Sequence, residues 1–160
     1  MKKPASIYPA TVLLLVLGLL TSGQKLIAQA SVAYYPWNGV FSVSTNPDKI
    51  VWGDARLQTN TLLGSLSTEL IPMVNFKRTE MANFYAGAGV RLNFIGALAN
   101  GDRLMEGYIM SIGTRIVPFK THRNFRVAFE FQPYVQRSGK SGVMKTNFGL
   151  AYVFGKRDAQ

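Results

Sequence analysis

From Ser31 onward, apolar and polar residues alternate along the chain with a period of two, the signature of a half-buried β-strand. Asn124 to Gln136 (NFRVAFEFQPYVQ) shows it most clearly. Asn124, Arg126, Ala128, Glu130, Gln132, Tyr134 and Gln136 share one face, and Phe125, Val127, Phe129, Phe131, Pro133 and Val135 share the other. A helix would mix the two sets around its circumference. In Asn83 to Phe94, Asn83, Tyr85, Gly87, Gly89, Arg91 and Asn93 oppose Phe84, Ala86, Ala88, Val90, Leu92 and Phe94. Val51 to Asn60 sets Trp52, Asp54, Arg56, Gln58 and Asn60 against Val51, Gly53, Ala55, Leu57 and Thr59. Leu62 to Lys77 opposes Ser65, Ser67, Glu69, Asn75 and Lys77 to Leu62, Gly64, Leu66, Leu70, Val74 and Phe76, with Leu63, Ile71 and Met73 on the polar side.

Met105 to Val117 and Val143 to Phe154 follow the same rule. Ser111, Gly113 and Arg115 face away from Met110, Ile112 and Ile116, and Lys145, Asn147, Gly149 and Ala151 face away from Met144, Phe148, Leu150, Tyr152 and Phe154. Turn-forming segments divide these runs at Thr45 to Asp48, Asn60-Thr61, Lys77 to Ala82, Ile95 to Arg103, Lys120 to Arg123 and Ser138 to Gly142. Asn38-Gly39 reads as a two-residue hairpin turn joining short strands at Val32 to Trp37 and Val40 to Thr45. The pattern therefore predicts about eight antiparallel strands in one domain. Pro72 and Pro133 each remove a ladder hydrogen bond and are expected at a bulge or near a rim.

The first thirty residues have a different grammar. Lys2 and Lys3 precede the short apolar run Thr11 to Leu20, and Ala28-Gln29-Ala30 offers a small-x-small cleavage pattern. Residues 1–30 thus read as a cleaved secretory signal peptide, leaving residues 31–160 as the mature domain. The apolar run is about half the length of a membrane-spanning helix. The chain's formal charge of +10 falls to about +7 without the leader lysines. Its basic residues are scattered, the densest groups being Lys77-Arg78, Lys120 to Arg126 and Lys156-Arg157. No nucleic-acid module accompanies them, and no nucleic-acid partner is expected. The absence of cysteine excludes disulfides, thiolate metal sites and a cysteine-linked lipid anchor.

Alternation alone fits two opposite designs: a soluble barrel or sandwich with an apolar interior, and a membrane barrel with a polar lumen. Three features favour the second. The polar face is rich in Gly, Ser, Asn, Gln and single charges. Phe76, Phe84, Phe94, Phe125, Tyr152 and Phe154 sit near strand ends, as in the aromatic girdles at headgroup level. The last strand carries Phe148, Leu150, Tyr152 and Phe154 on one face. Together with the export signal, these features resemble the small outer-membrane β-barrel family of Gram-negative bacteria. That family usually ends at a terminal Phe, whereas Gly155 to Gln160 follow Phe154 here.

The resemblance implies an antiparallel up-and-down transmembrane β-barrel located in the outer membrane. Its partners would be outer-membrane lipid and, during insertion, the barrel-assembly machinery. The implied role is structural or interactive rather than enzymatic.

The search for chemistry supports that reading. The only histidine, His122, lies in the basic turn Lys120-Thr121-His122-Arg123, far in sequence from Glu130. A lipid-modifying barrel enzyme would need it beside a Ser, Asp or Glu. No catalytic, cofactor-binding or metal-ligating set stands out, because the acids are not paired at ligand spacing and a lone histidine cannot anchor a metal. Gly87-Ala88-Gly89 lies mid-strand without a helix to receive a phosphate, and reads as small residues on a crowded lumen wall. The polar-face charges Asp54, Arg56, Glu69, Arg91, Arg115, Arg126, Glu130 and Lys145 must be paired if the lumen is narrow. A connected ion-pair network plugging the barrel is the expectation. The alternatives are the lipid-modifying enzyme using His122, or a soluble secreted β-barrel or sandwich that binds a ligand.

Overall fold

The computed structural model describes residues 30–58, 67–99, 101 and 103–155. The leader before Ala30, the Asn60-Thr61 turn and the tail beyond Gly155 lie outside them. Eight strands follow one another: β1 (Ser31–Tyr35), β2 (Val40–Ser44), β3 (Val51–Gln58), β4 (Ser67–Arg78), β5 (Ala82–Asn93), β6 (Met105–Ile116), β7 (Phe125–Gln136) and β8 (Gly142–Val153). Each pairs antiparallel with its sequence neighbours, and β1 pairs with β8 to close the barrel. The architecture is the antiparallel up-and-down eight-stranded barrel that the alternation predicts; a sandwich is excluded. Closure leaves no free sheet edge.

The short strands β1 and β2 carry the closure. Ser31 faces Val153 and Tyr34 faces Leu150, while Tyr35 faces Val40 across the first hairpin. That hairpin is wider than Asn38-Gly39 alone suggests. It spans Pro36 to Gly39, with Gly39 N–H donating to Pro36 O at 3.3 Å and Gly39 at φ 56°.

Ile95 to Arg103 differs from the plain turn expected of it. Phe94–Ala99 forms a short helix, α1, opened by Asn93, whose Oδ1 accepts the Gly96 N–H at 2.8 Å. An asparagine N-cap is enough to start such a turn, and the Gly and Asn residues downstream concealed it in the sequence.

The prolines also correct the expectation. Neither stands at a bulge or a rim. Pro72 lies at the middle of β4, where the β4–β5 ladder lapses between Leu70↔Val90 and Met73↔Gly87 without a register shift. Pro133 lies in a similar lapse between Ile109↔Tyr134 and Ile112↔Phe131. The missing N–H is thus absorbed by a gap in one ladder. The register shifts occur elsewhere, between Asn75 and Lys77 on β4 and at Arg91/Leu92 on β5. The second leaves Glu106 as the extra residue opposite β5 and brings its carboxylate within 3.3 Å of Ser67 Oγ.

The two faces separate as the parity demands. Arg56, Glu130, Arg115, Arg126, Gln132 and Asn147 are buried inside the barrel. Outward stand Tyr34, Phe41, Leu70, Val74, Tyr108, Met110, Ile112, Phe131 and Leu150, all substantially exposed. Ile71 and Met73, the apolar intruders on the polar side of β4, do face inward. They pack with Trp52, Tyr85 and Ile109 into an apolar cluster inside the lumen.

Candidate functional site

The barrel interior gathers its polar side chains into three hydrogen-bonded groups among the described residues. The central one is built around Glu130 on β7, which is 0% exposed. Its Oε1 accepts from Tyr35 Oη at 2.9 Å and from Tyr85 Oη at 2.5 Å, and its Oε2 accepts from Ser111 Oγ at 3.1 Å. Arg56 Nη2 donates to Oε1 at 3.1 Å, while Arg56 Nη1 stands 2.8 Å from Oε2 but off the hydrogen-bond direction. The same guanidinium donates from Nε and Nη2 to Asp54 Oδ2 at 2.9 and 2.7 Å, and Ser42 Oγ donates to Asp54 Oδ1 at 2.5 Å. Five strands (β1, β2, β3, β5 and β6) therefore reach toward β7 through one carboxylate–guanidinium–carboxylate chain.

Arg115 completes this group less fully. Its Nη1 donates to Ser31 and Ser44 Oγ, both at 3.3 Å, and its Nη2 lies 3.9 Å from Asp54. Nε and Nη2 have no hydrogen-bond partner among the described residues. The Trp52 ring, 4.5 Å away, supplies a cation–π face in their stead.

A second group closes the end of the barrel where β1 begins and β8 ends, the termini end of the strands. The β2–β3 turn folds into the mouth, with Asn46 Oδ1 accepting the Asp48 N–H at 2.9 Å, an Asx turn of the kind asparagine favours. Asn75 Nδ2 donates to Pro47 O at 2.8 Å and Lys49 O at 2.6 Å, and Pro47 itself is fully buried. Asp48 accepts a bidentate pair from Arg126 at 2.8 and 2.7 Å and a further bond from Asn83 at 2.8 Å. Two parallel bonds of this kind fix geometry as well as charge.

The third group lies toward the opposite end. Arg91 donates to Glu69 Oε1 from Nε at 3.1 Å and from Nη2 at 2.5 Å. Gln132 Nε2 donates to Glu69 Oε2 at 2.7 Å, Asn147 Nδ2 to Gln132 Oε1 at 2.8 Å, and Asn38 Nδ2 to Asn147 Oδ1 at 2.6 Å. The Arg91 guanidinium stacks 4.3 Å from the Tyr134 ring centre.

Glycine makes room for this packing. A Cβ at Gly113 would lie 2.6 Å from Glu130 Cγ, and one at Gly149 would lie 2.7 Å from Tyr35 Cδ1. At Gly87 and Gly89 it would collide with the β4 backbone at Pro72 and Leu70. These glycines are recesses in the lumen wall.

Each of the expected lumen acids, Asp54, Glu69 and Glu130, meets an arginine. The single connected network does not form. Its members fall into three tiers, and Lys145 makes no ion pair with a described residue. Sequence reasoning missed Asp48, because a turn residue has no parity. It also passed over the hydroxyl of Tyr35, on a strand too short for its alternation to be read.

His122 lies in the β6–β7 connection, where its backbone N–H donates to Phe119 O at 3.2 Å and its carbonyl accepts from Phe125 N–H at 3.1 Å. The structure does not bring a carboxylate into ion-pair contact with its imidazole among the described residues. Nor do the described residues contain a cluster of three or more His, Asp or Glu able to hold a metal. The side chains of Lys120, Thr121, His122, Arg123 and Asn124 make no hydrogen bond or ion pair with a described residue, and Thr121 to Asn124 line a cleft. That cleft is about 590 Å³, lined also by Phe119, Phe125 and Tyr152.

Comparison with protein-family models, with curated proteins and with solved structures gives no match to this chain.

Proposed function

We propose that the chain is an integral outer-membrane β-barrel protein of structural or interaction role, with a lumen plugged by its own side chains. The observation that carries this reading is the inversion of the barrel. Charged and amide side chains fill the interior, while between the rims the outward strand positions bear no charge. In water such a surface would expose a continuous apolar band, which soluble monomers avoid; against acyl chains the same band is favourable.

The distribution of aromatics supports the same reading. Phe76, Phe84, Phe125 and Tyr152 stand outward at the termini end of their strands, joined by Phe119 and Phe154. Their rings pair at 6.5 Å (Phe76–Phe84), 6.5 Å (Phe119–Phe125) and 5.2 Å (Tyr152–Phe154). Phe94, Tyr108, Phe41 and Tyr34 lie toward the other end, and Trp37 rests 5.2 Å from Phe148. Two aromatic zones flanking an apolar belt fit the two headgroup levels of a bilayer. With an even strand number the termini share the periplasmic side. The outward aromatic and apolar face of β8 is the surface that the assembly machinery would read during insertion.

The test is fractionation with heat modifiability. The full chain, expressed in a Gram-negative host, is expected in the outer-membrane pellet, resistant to urea extraction. Unboiled, it should migrate on a denaturing gel apart from the boiled form. Recovery in the soluble periplasmic fraction would refute the reading.

A further inference from the structure

The β6–β7 connection, 117–124, lies at the termini end just outside the apolar belt. Its cleft joins two chemistries. One wall is Phe119, Phe125 and Tyr152, of which Phe125 and Tyr152 are outward residues of adjacent strands in direct register. The other is Thr121, His122, Arg123 and Asn124, with Lys120 beside them. The segment contains no acid. None of Lys120, His122 and Arg123 forms an ion pair with a described residue, unlike the lumen arginines, whose charges are met inside the barrel. The neighbouring β4–β5 turn, tied on by Val117 N–H donating to Met81 O at 2.7 Å, adds Lys77 and Arg78 at the rim and a single exposed acid, Glu80.

We infer that this cleft binds the headgroup of an anionic phospholipid in the leaflet on the termini side. The proposal rests on the membrane reading above. A phosphodiester matches the donors of Arg123, His122, Thr121 and Asn124, which no described residue satisfies, since guanidinium and hydroxyl groups both donate to phosphate oxygens. The glycerol and upper acyl carbons match the aromatic wall, as amphipathic rings do at the interface. A free phosphate would use only half of this surface.

The experiment compares phosphatidylglycerol with phosphatidylcholine, titrated against the folded protein in mild detergent and read as retained lipid by native mass spectrometry. The parent is expected to retain phosphatidylglycerol preferentially. Each basic residue near an anionic surface contributes about fivefold in affinity, so the variant Lys120→Gln/Arg123→Gln should lose on the order of 25-fold. It should keep the parent's heat-modified migration, because both residues are exposed turn positions. Equal retention of the two lipids by the parent, or an unchanged preference in the variant, overturns the lipid site alone. Displacement of the lipid by millimolar glycerol phosphate also overturns it, in favour of a soluble phosphate ligand. If the parent enters neither bilayer nor micelle, the membrane reading fails and the lipid site falls with it.

Discussion

Glu130→Ala isolates the chemistry of the lumen in one substitution. The side chain is 0% exposed and accepts from Tyr35, Tyr85, Ser111 and Arg56. Its removal deletes one of the two carboxylates facing Arg56 and leaves two phenols and a serine hydroxyl without their acceptor. Arg56 keeps Asp54, so it is not orphaned, but the central tier changes from two acids and two arginines to a net positive charge. Removing one member of a buried pair costs about 3–5 kcal/mol, a large share of the roughly 5–15 kcal/mol that holds a typical domain. In urea, with a slope near 2 kcal/mol per molar, the midpoint should drop by about 2 M. The assay is equilibrium unfolding from detergent or lipid, followed by tryptophan fluorescence, since Trp52 packs in the lumen against Tyr85 at 5.2 Å. Phe129→Ala is the matched control on the same strand. It sheds outward contact, including its edge-to-face pairing with Phe131 at 5.0 Å, and leaves the lumen ion pairs untouched. A double-mutant cycle with Arg56→Met completes the test: neutralising both partners should cost less than the sum of the single changes, by about 0.5–3 kcal/mol. An unchanged midpoint for Glu130→Ala would mean that the carboxylate is solvated, and the plugged lumen would be refuted.

The packing makes a second prediction at glycine. Gly113→Val should destabilise by about 1–3 kcal/mol in the same unfolding assay, because its Cβ would meet Glu130 Cγ and Phe129 O, both at 2.6 Å. Gly53→Ala, with nothing within 4 Å of the new Cβ, should be neutral or slightly stabilising. On the outer face, Ile112→Arg tests the solvent directly: mid-belt in a bilayer it costs about 2–4 kcal/mol, whereas on a wetted surface the change stays within about 0.5 kcal/mol. Intact mass of the protein recovered from envelopes should place the mature N-terminus at Ser31, and a start well away from Ser31 would remove the export signal from the reading.

Where alternation ran through long strands, the sequence disclosed the fold almost residue by residue. Arg126, Glu130 and Gln132 face inward from β7 as their parity requires, and Asn147 and Ala151 do so from β8. Even Ile71 and Met73, which broke the pattern of β4, obeyed the parity and not their hydropathy, because the lumen holds an apolar cluster for them to join. What the pattern could not convey was anything outside a strand. Asp48 became a lumen acid only because its turn bends into the mouth, a consequence of tertiary bonds to Asn75 and Arg126. Helix α1 depended on one cap at Asn93, a signal easily lost among loop residues. The cleft beside His122 needs Tyr152 from β8 next to a turn that is distant in sequence, so no local motif could announce it.

The three tiers also explain how so polar an interior can specify one arrangement of strands. Each tier includes a contact that runs across the lumen as well as contacts between neighbouring strands: Arg56 on β3 to Glu130 on β7, Glu69 on β4 to Gln132 on β7, Asp48 before β3 to Arg126 on β7. A one-residue slip of β7 would turn Glu130 outward and drive Phe129 against Arg56, since every side chain changes face. An apolar interior would penalise that slip weakly, because one large hydrophobe replaces another. Here the slip strands an arginine inside without its β7 acid and, in the proposed bilayer, puts a carboxylate against lipid, each at a cost of a few kcal/mol. Buried ion pairs are weak contributors to net stability when compared with well-packed apolar substitutes, so their value in this barrel lies in register. The Arg56→Met/Glu130→Ala variant separates the two roles: recovered stability with a heterogeneous unboiled gel band would mark lost register, whereas a single sharp band would show that backbone pairing and the glycine recesses already fix it.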